Sequence, residues 1–425
     1  MPNLSSRFRP RHAVLLMTFF LILTLVARAQ AQTIEILHNF GVNGGDGDVP
    51  YSGLVEDGAG NFYGTTAAGG AQGFGTVYRL SPDGSGGFTE TILYSFKGGS
   101  TDGNFPHASL FRDSAGNLYG TTVTGGIVAP GCNVGGLSSP ESCGIVFKLT
   151  PTPTGQWTET VLHRFSGSDG GNAFSGLIRD AAGNFFAATV SGASKGLGTV
   201  YKLSPTSTGW KETVLHSFMG NPDGALPFVD CATLAMDDRG NIFGSTYVGG
   251  ADNAGTVFKL SPQTTGAWTE KILYAFKGGS DGKQAFSGVI LDKNGNVYGT
   301  TSQGGAGGAN GGTVFKLSAA NNYAKTTLHN FTLKDPAKTF PNALIMDGKG
   351  NLYGTTGYAL YKLAPGITAW TETVFWKWDS LEVQNGLNLF APVLMDSHGN
   401  FYGTTTWGGQ AGSTTGGVAF KVAPD

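Results

Sequence analysis

The segment Asp113-Ser-Ala-Gly-Asn117-Leu-Tyr-Gly-Thr-Thr122 decides the fold, because close copies of it recur along the chain. The copies occupy residues 57–66, 180–189, 237–246, 292–301, 347–356 and 396–405. The asparagines that the copies share are spaced 49 to 67 residues apart and mark seven units. Internal self-similarity of this kind is typical of repeat architectures and has to be explained before any local motif.

Each unit contains four strand-like runs, which the fourth unit shows clearly. Its runs are residues 231–237, 241–246, 255–260 and 268–276, and an Asp-x-x-Gly-Asn turn joins the first two. Gly and Asn supply the backbone conformations that tight turns need, and helical spacing is absent. The third runs are apolar toward both faces, which suits sheets stacked between two neighbours. The sequence therefore predicts an all-β protein, a seven-bladed β-propeller with four-stranded blades.

The two ends of the chain predict how the ring closes. Residues 33–40 match the fourth run of other units, such as residues 158–165, although no unit precedes them. The last unit stops after its third run, residues 416–422. Pairing the N-terminal strand into the last blade would remove two open sheet edges. We therefore expect one propeller domain over residues 32–425, closed by its first strand.

Several repeat phrases resemble the GloVer tandem-repeat family of exported bacterial proteins. They are Gly-Asn-Leu-Tyr-Gly-Thr-Thr (116–122 and 350–356), Gly-Thr-Val-Phe-Lys-Leu (255–260) and Thr-Glu-Thr-Val-Leu-His (158–163). The resemblance covers about residues 33–422 and implies a secreted or surface repeat protein of unassigned biochemistry. The order of residues within the repeat is also similar to that of NHL-type propellers, and this resemblance implies a role in binding partners.

Composition excludes several classes of protein. The chain has 425 residues, of which 40% are hydrophobic and 13% are charged, so a core is available and disorder driven by charge is excluded. Lys and Arg number 27 against 29 Asp and Glu. This balance lacks the positive charge that a nucleic-acid-binding surface requires, and we expect no nucleic-acid partner.

The N-terminus predicts export. Residues 1–12 carry Arg7, Arg9 and Arg11, and an apolar run over residues 13–27 precedes two small-x-small cleavage sites ending at Ala29 and Ala31. This is the layout of a secretory signal peptide over residues 1–31. The apolar run is shorter than the roughly 20 residues of a transmembrane helix. We therefore expect a secreted, periplasmic or cell-surface protein with no membrane span after cleavage.

Asp-Gly pairs recur in the connections between blades. They lie at Asp46, Asp102, Asp169, Asp223 and Asp281. One interpretation is a ring of carboxylates at one channel mouth that binds Ca²⁺ or polar ligand groups. The favoured interpretation is turn chemistry, because Asp accepts local backbone hydrogen bonds and Gly adopts positive φ. Ca²⁺ is thus the only cofactor that the sequence raises, and none is expected.

The histidines give no sign of a metal centre or a catalytic site. His38, His163, His216 and His329 share one position of the fourth strand, where other units have Tyr or Trp. That exchange indicates a space-filling role, and no zinc motif or nucleophile–base set stands out. The fourth-strand glutamates are interpreted as edge charges that discourage aggregation. They are Glu35, Glu90, Glu159, Glu212, Glu270 and Glu372.

Two departures from the repeat are candidates for recognition. Cys132 lies in the largest insertion, residues 127–142, and Cys143 directly follows it, which predicts a disulfide in an exported protein. Trp407 lies in a loop of the last unit, where an exposed ring would suit stacking on a sugar and a packed ring would support the loop.

The leading hypothesis is a secreted, non-catalytic propeller that presents loops to a protein or glycan. One alternative is an extracellular carbohydrate-active enzyme, a lyase or hydrolase, with an acidic site in the channel. Another alternative is a structural repeat protein of the cell envelope.

Overall fold

Seven antiparallel sheets, numbered here as blades 1 to 7 in chain order, confirm the predicted β-propeller. The computed structural model describes residues 33–43, 45–132, 142–227, 233–306, 308, 311–332, 341–378, 383–411 and 416–423. The predicted signal peptide, residues 1–31, lies outside the described residues. Within the described part, no helix is long and apolar enough to cross a bilayer.

Each blade is built from four strands, which follow one another in the chain in blades 1 to 6, whereas the outermost strand of blade 7 comes from the N-terminus. The first strands are Val55–Glu56, Phe111–Arg112, Ile178–Arg179, Ala235–Met236, Ile290–Leu291, Leu344–Met346 and Leu394–Met395. The second strands are Phe62–Thr66, Leu118–Gly125, Phe185–Thr189, Ile242–Thr246, Val297–Thr301, Leu352–Thr355 and Phe401–Thr405.

The outer half of each blade is longer. The third strands are Thr76–Pro82, Ile145–Pro151, Thr199–Thr206, Thr256–Pro262, Thr313–Ser318, Ala359–Pro365 and Val418–Val422. The fourth strands are Phe88–Ser95, Trp157–Arg164, Gly209–Ser217, Trp268–Ala275, Ala324–Asn330, Trp370–Lys377 and, for blade 7, Ile34–Asn39. Short 3-10 turns occur at Gly279–Asp281, Ala319–Asn321, Val383–Asn385 and Gly409–Ala411.

The N-terminal strand closes the ring as predicted. Ile34–Asn39 pairs antiparallel with Val418–Val422, with Ile34 opposite Val422 and Asn39 opposite Val418. The first strand of the chain therefore serves as the outermost strand of the last blade. This arrangement removes the open edge that the three-stranded last unit would otherwise expose.

The recurring phrase that identified the repeat has a direct structural cause. In blade 1, Asp57 Oδ1 accepts hydrogen bonds from the amides of Ala59 and Asn61, and Asp57 Oδ2 accepts one from Asn61 Nδ2 at 2.8 Å. Tyr63 Oη donates to the same carboxylate at 3.1 Å. Asp, Asn and Tyr of the phrase therefore form one hydrogen-bonded turn between the first two strands.

The core lies between blades. At every junction, an aromatic ring just after or at the end of a fourth strand packs on an aromatic ring in the third strand of the next blade, with ring centroids 4.9 to 5.3 Å apart. Phe96 on Phe147 is one such pair. Gly120 lies beneath Phe147, where an added Cβ would approach the ring to 2.5 Å. The glycine of the repeat phrase therefore leaves room for the ring that joins neighbouring blades.

Candidate functional site

The loops of the propeller divide between two faces. The connections from a fourth strand to the next first strand pair with the loops between second and third strands, so both lie on what we call the connector face. The pairings are Gly47–Asp48 with Ala68–Gly69, Gly103–Pro106 with Leu118–Gly125, Gly224–Ala225 with Val248–Gly249, and the bridges Gly171 to Ser191, Lys283 to Gln303 and Leu387 to Trp407. The remaining turns form the opposite side, the turn face.

Backbone strain is concentrated in the connections on the connector face. Six of them contain a non-glycine residue with φ between 52° and 60°: Val49, Phe105, Asn172, Leu226, Gln284 and Asn388. The Val49 amide donates to Gly416 O of blade 7, and Val49 O accepts from the Ala67 amide of blade 1, both at 3.0 Å. The strained residue thus clasps two neighbouring blades and turns the chain sharply toward the axis.

In five of these six connections, the described residue two positions further along is an aromatic residue or a histidine. We call Tyr51, His107, Phe174 and Phe390 the aromatic arc. Tyr51 of blade 1 stacks on His107 of blade 2 with centroids 4.1 Å apart, and lies 5.8 Å from Phe390 of blade 7. His107 contacts Phe174 of blade 3 at 5.0 Å. The arc therefore runs without interruption across four consecutive blades.

The arc combines buried supports with accessible rings. His107 is 4% exposed, and burial lowers its pKa to about 3, so this imidazole is neutral. Tyr51 and Phe390 are partly exposed. Rings that are fixed on one side and open on the other are the usual lining of sites for uncharged ligands.

Exposed apolar side chains also favour the connector face. Among the described residues, six large hydrophobic side chains are exposed: Val42, Phe74, Ile127, Val128, Met219 and Ile367. Five belong to connections or second-to-third-strand loops, and only Ile367 lies on the turn face. The two faces therefore differ in apolar character.

The remaining recognition candidates lie on the same face. The Trp407 amide donates to Leu387 O, three residues before Phe390, so Trp407 stands beside one end of the aromatic arc and is partly exposed. Cys132 and Cys143 form a disulfide and are both buried among side chains of blades 2 and 3. The Asn172 amide donates to Cys143 O at 2.7 Å, so the insertion is anchored to the next blade.

The Asp-Gly aspartates turn back into the junctions between blades. Asp102 accepts a hydrogen bond from Tyr94 Oη at 2.9 Å, and Asp169 lies 3.0 Å from His163 Nε2. Asp223 lies 3.2 Å from His216 Nε2, and Asp281 accepts a hydrogen bond from Tyr274 Oη at 2.8 Å. Each carboxylate therefore meets the fourth-strand position that the sequence assigned to space filling.

A third component of these junctions comes from the next blade. Glu90, Glu159, Glu212, Glu270 and Glu372 each have a buried carboxylate oxygen, whereas Glu35 is exposed and pairs with Lys421 at 3.3 Å. The edge-charge interpretation therefore fits Glu35 and is wrong for the other five. Burial and the Asp46 carboxylate raise the pKa of Glu90 to about 9. Burial, with a nearby aspartate, raises the pKa values of Glu159, Glu212 and Glu270 to about 7.

The pKa values of the aspartates shift in the opposite direction from those of the glutamates. Burial alone would raise the pKa of Asp169, but hydrogen bonds from His163 and the Ser166 amide outweigh it and lower the pKa. For His216, burial would lower the pKa, but the hydrogen bond with Asp223 and the charge of Glu270 raise it. The contacts at these junctions therefore lower the proton affinity of Asp169 and raise that of His216.

The described residues also line three clefts. A cleft of about 500 Å³ on the turn face lies between the turns containing Asp292 and Asp347. A smaller one of about 220 Å³ is lined by Val289, Leu344 and Pro392 near the first strands. On the connector face, an open cleft of about 380 Å³ lies near Ser280 and Lys283. The three groups of one histidine, one aspartate and one glutamate found among the described residues lie at blade junctions and not beside these clefts.

Sequence reasoning missed two features. The aromatic arc had a signal, because Tyr51, His107, Phe174 and Phe390 each precede a first strand by the same distance. The junction sets had one too, since His163, Asp169 and Glu212 recur at similar spacing as His216, Asp223 and Glu270. Neither sequence pattern shows that these residues lie close together unless the closed ring of blades is known.

Together these features define a β-propeller with a repetitive frame and a differentiated connector face. The chain belongs to the Gloeobacter/Verrucomicrobia repeat family, whose model matches residues 24–136, 130–364 and 271–425. A comparison with curated proteins finds no relative.

Solved structures share the fold at low identity. A catalytically inactive variant of virginiamycin B lyase from Staphylococcus aureus, solved with quinupristin, is 11% identical with a TM-score of 0.53, covering 92% of this chain and 100% of the lyase. The extracellular domain of a one-component system from B. thetaiotaomicron is 11% identical with a TM-score of 0.57, covering 92% of this chain and 40% of that one. A PL25 ulvan lyase bound to a sugar ligand is 12% identical with a TM-score of 0.51, covering 90% and 97%. These structures include two lyases and the extracellular domain of a one-component system.

Proposed function

We propose that this chain is an exported, non-catalytic binding protein whose ligand site is the connector face, with a glycan as the ligand of the aromatic arc. The aromatic arc carries this proposal. Tyr51 and Phe390, the partly exposed members of this row of rings, offer flat apolar surfaces to the C–H faces of sugar rings, and Tyr51 adds a hydroxyl.

The chemistry of the arc favours an uncharged ligand. His107 is neutral at physiological pH, and the other three members carry no charge. His107 is also buried beneath Tyr51, which suits a packing role better than proton exchange with a substrate. Trp407 extends the aromatic surface beyond Phe390, and its ring is the natural fluorescence reporter of binding.

Titration with neutral hexasaccharides tests this proposal. Cellohexaose, maltohexaose, xylohexaose and N-acetylchitohexaose would be followed by calorimetry and by tryptophan fluorescence. We expect saturable binding of at least one sugar, and a loss of affinity of about tenfold or more in Tyr51→Ala and Phe390→Ala. Ile367→Ala on the turn face is the matched control and should bind as the parent does. Absence of binding by all four sugars, or equal losses in the three variants, would contradict the glycan proposal.

A protein partner is the second candidate, favoured by the exposed side chains around the arc. Phe74, Val128 and Met219 form an apolar, weakly charged periphery of the kind that protein interfaces use. A photoreactive residue at Val128 should cross-link a defined envelope protein of the host, whereas the same residue at Ile367 should not. Equal cross-linking from both positions would contradict a specific interface.

Export is part of the proposal and has its own support. Residues 1–31 have the layout of a signal peptide, and a disulfide joins Cys132 to Cys143. N-terminal sequencing of the protein from the host should find a start after Ala29 or Ala31. An intact N-terminus in the cytosolic fraction would contradict export.

A further inference from the structure

Three blade junctions bring together one histidine, one aspartate and one glutamate from three separate segments. The sets are His38, Asp46 and Glu90; His163, Asp169 and Glu212; and His216, Asp223 and Glu270. In each set, one ligand atom from every member lies within 4.8 Å of the others. We propose that these junctions are divalent transition-metal sites, with Zn²⁺ as the ion that best fits one imidazole and two carboxylates.

In the set between blades 7 and 1, buried polar atoms of all three side chains have no hydrogen-bond partner among the described residues. The Asp46 side chain is 4% exposed, and neither of its oxygens has a hydrogen-bond partner among the described residues. Nε2 of His38 and Oε1 of Glu90 are likewise buried without a hydrogen bond. Buried polar atoms are normally satisfied, so the unpaired Asp46 oxygens beside the unpaired His38 Nε2 indicate an occupant.

The separations match those of a small cation. His38 Nε2 lies 3.6 Å from Asp46 Oδ1 and 3.7 Å from Glu90 Oε2. Bonds of about 2.0–2.2 Å to zinc in a tetrahedron place neighbouring ligand atoms roughly 3.3–3.5 Å apart. His216 Nε2 lies 3.6 Å from Glu270 Oε1 and 3.2 Å from Asp223 Oδ2, and a bound ion would replace the hydrogen bond that His216 and Asp223 share. An imidazole ligand favours Zn²⁺ over Ca²⁺ or Mg²⁺, which take oxygen ligands.

The local structure holds each imidazole in place. A register shift in the pairing of the third and fourth strands occurs just before the histidine, between Ile36 and His38 in blade 7. Such a bulge redirects the following side chain, here toward the next blade. The ring then packs edge-on against Phe40 at 4.6 Å, so Nε2 faces Asp46 and Glu90.

At the junction between blades 4 and 5, a side chain of the protein supplies the positive charge beside the aspartate. Lys325 stands where the next blade would supply the glutamate, and Tyr274 replaces the histidine. The Lys325 side chain is 5% exposed, and its Nζ lies 3.0 Å from Asp281 Oδ1. A buried cation therefore neutralises this aspartate where the ligand set is absent.

Metal analysis of the untagged protein tests the proposal. Protein stripped with chelator, exposed to Zn²⁺ and passed through a desalting column should retain one ion at each of the three sets. His38→Tyr, His163→Tyr and His216→Tyr copy the Tyr94 and Tyr274 junctions, so each should fold and retain one ion fewer. His398→Tyr is the control, because His398 is 83% exposed on a turn.

The result that would overturn the proposal is equal retention of zinc by the parent and the triple histidine variant. Retention of Ca²⁺ or Mg²⁺ in preference to Zn²⁺ would also overturn it. If a tyrosine variant fails to fold, Glu90→Gln and Glu212→Gln keep the side-chain shape and should each remove one ion. The readout is independent of any glycan or protein ligand.

Discussion

Thr404 Oγ1 in blade 7 donates a hydrogen bond of 2.7 Å to the main-chain carbonyl of Ser52 in blade 1, across 352 residues of sequence. Thr121 makes the same kind of bond to Ser175 O at 3.0 Å between blades 2 and 3. The two ends of the chain are therefore joined near the axis by the contact that joins internal neighbours, as well as by strand pairing at the rim.

Removing this hydroxyl tests closure. Thr404→Val should lower the free energy of unfolding by about 1 kcal/mol, because it breaks a buried hydrogen bond without changing shape. Thr121→Val is the internal control and should cost a similar amount. Denaturant titration of both variants gives the comparison, and a loss in Thr121→Val with none in Thr404→Val would contradict a closed ring.

Relieving one strained connection should stabilise the protein. Val49 has φ of 60°, a conformation that is unfavourable for a β-branched residue, whereas Asn172 and Asn388 occupy the same position in other blades. Val49→Asn should raise the free energy of unfolding by about 0.5–1 kcal/mol. Val42→Asn, in the same connection, is the control for polarity. A lower stability of Val49→Asn in denaturant titration would contradict this account of the clasp.

The disulfide should support the junction of blades 2 and 3. The double variant Cys132→Ala/Cys143→Ala should lose about 2–3 kcal/mol, since the bond closes a short loop and both sulfurs are buried. Adding reductant to the parent should reproduce the loss in urea titration. Reductant should have no effect on the double variant, and an unchanged midpoint in that variant would contradict a supporting role.

Stability of the metal-free protein should fall as the pH rises from about 5.5 to about 8.5. Burial raises the pKa values of Glu159, Glu212 and Glu270 to about 7, so the folded chain keeps protons that the unfolded chain has lost above about pH 4.3. Their contribution is complete below that pH and is lost as the pH passes 7. The raised pKa of His216 acts in the same direction. Aspartates with lowered pKa values act only below about pH 4.

Melting temperatures measured in the presence of a chelator from about pH 5.5 to about pH 8.5 test whether stability falls as the pH rises. Glu212→Gln should flatten the decline, whereas Glu35→Gln should not, because Glu35 lies on the exposed side of its strand. A melting temperature that rises with pH, or identical slopes in the two variants, would contradict the assignment.

The repeat made the frame predictable from sequence alone. The Asp57 turn, the glycine beneath Phe147 and the shared fourth strand at residues 34–39 all follow from local residue chemistry and from counting units. Period-2 patterning and turn residues act over a few positions, so a single sequence contains them in full.

The candidate site was less predictable because it depends on contacts across blades. Tyr51 and Phe390 lie more than 300 residues apart and meet only when the ring closes. The different face of Glu35 could have been predicted, because aligning residues 33–40 with 158–165 places Ile34, and not Glu35, at the position of Glu159. A one-residue shift in a strand exchanges its faces.

Hydrogen exchange with a bound hexasaccharide is the most direct test of the central claim, that the connector face is the functional surface. The account predicts slower exchange in peptides covering residues 49–54, 105–110 and 388–393 when the tightest-binding sugar of the panel is added. Peptides covering the turns at residues 57–61 and 113–117 should be unchanged. Protection confined to those turns, or absent from all five segments at saturating sugar, would contradict the claim.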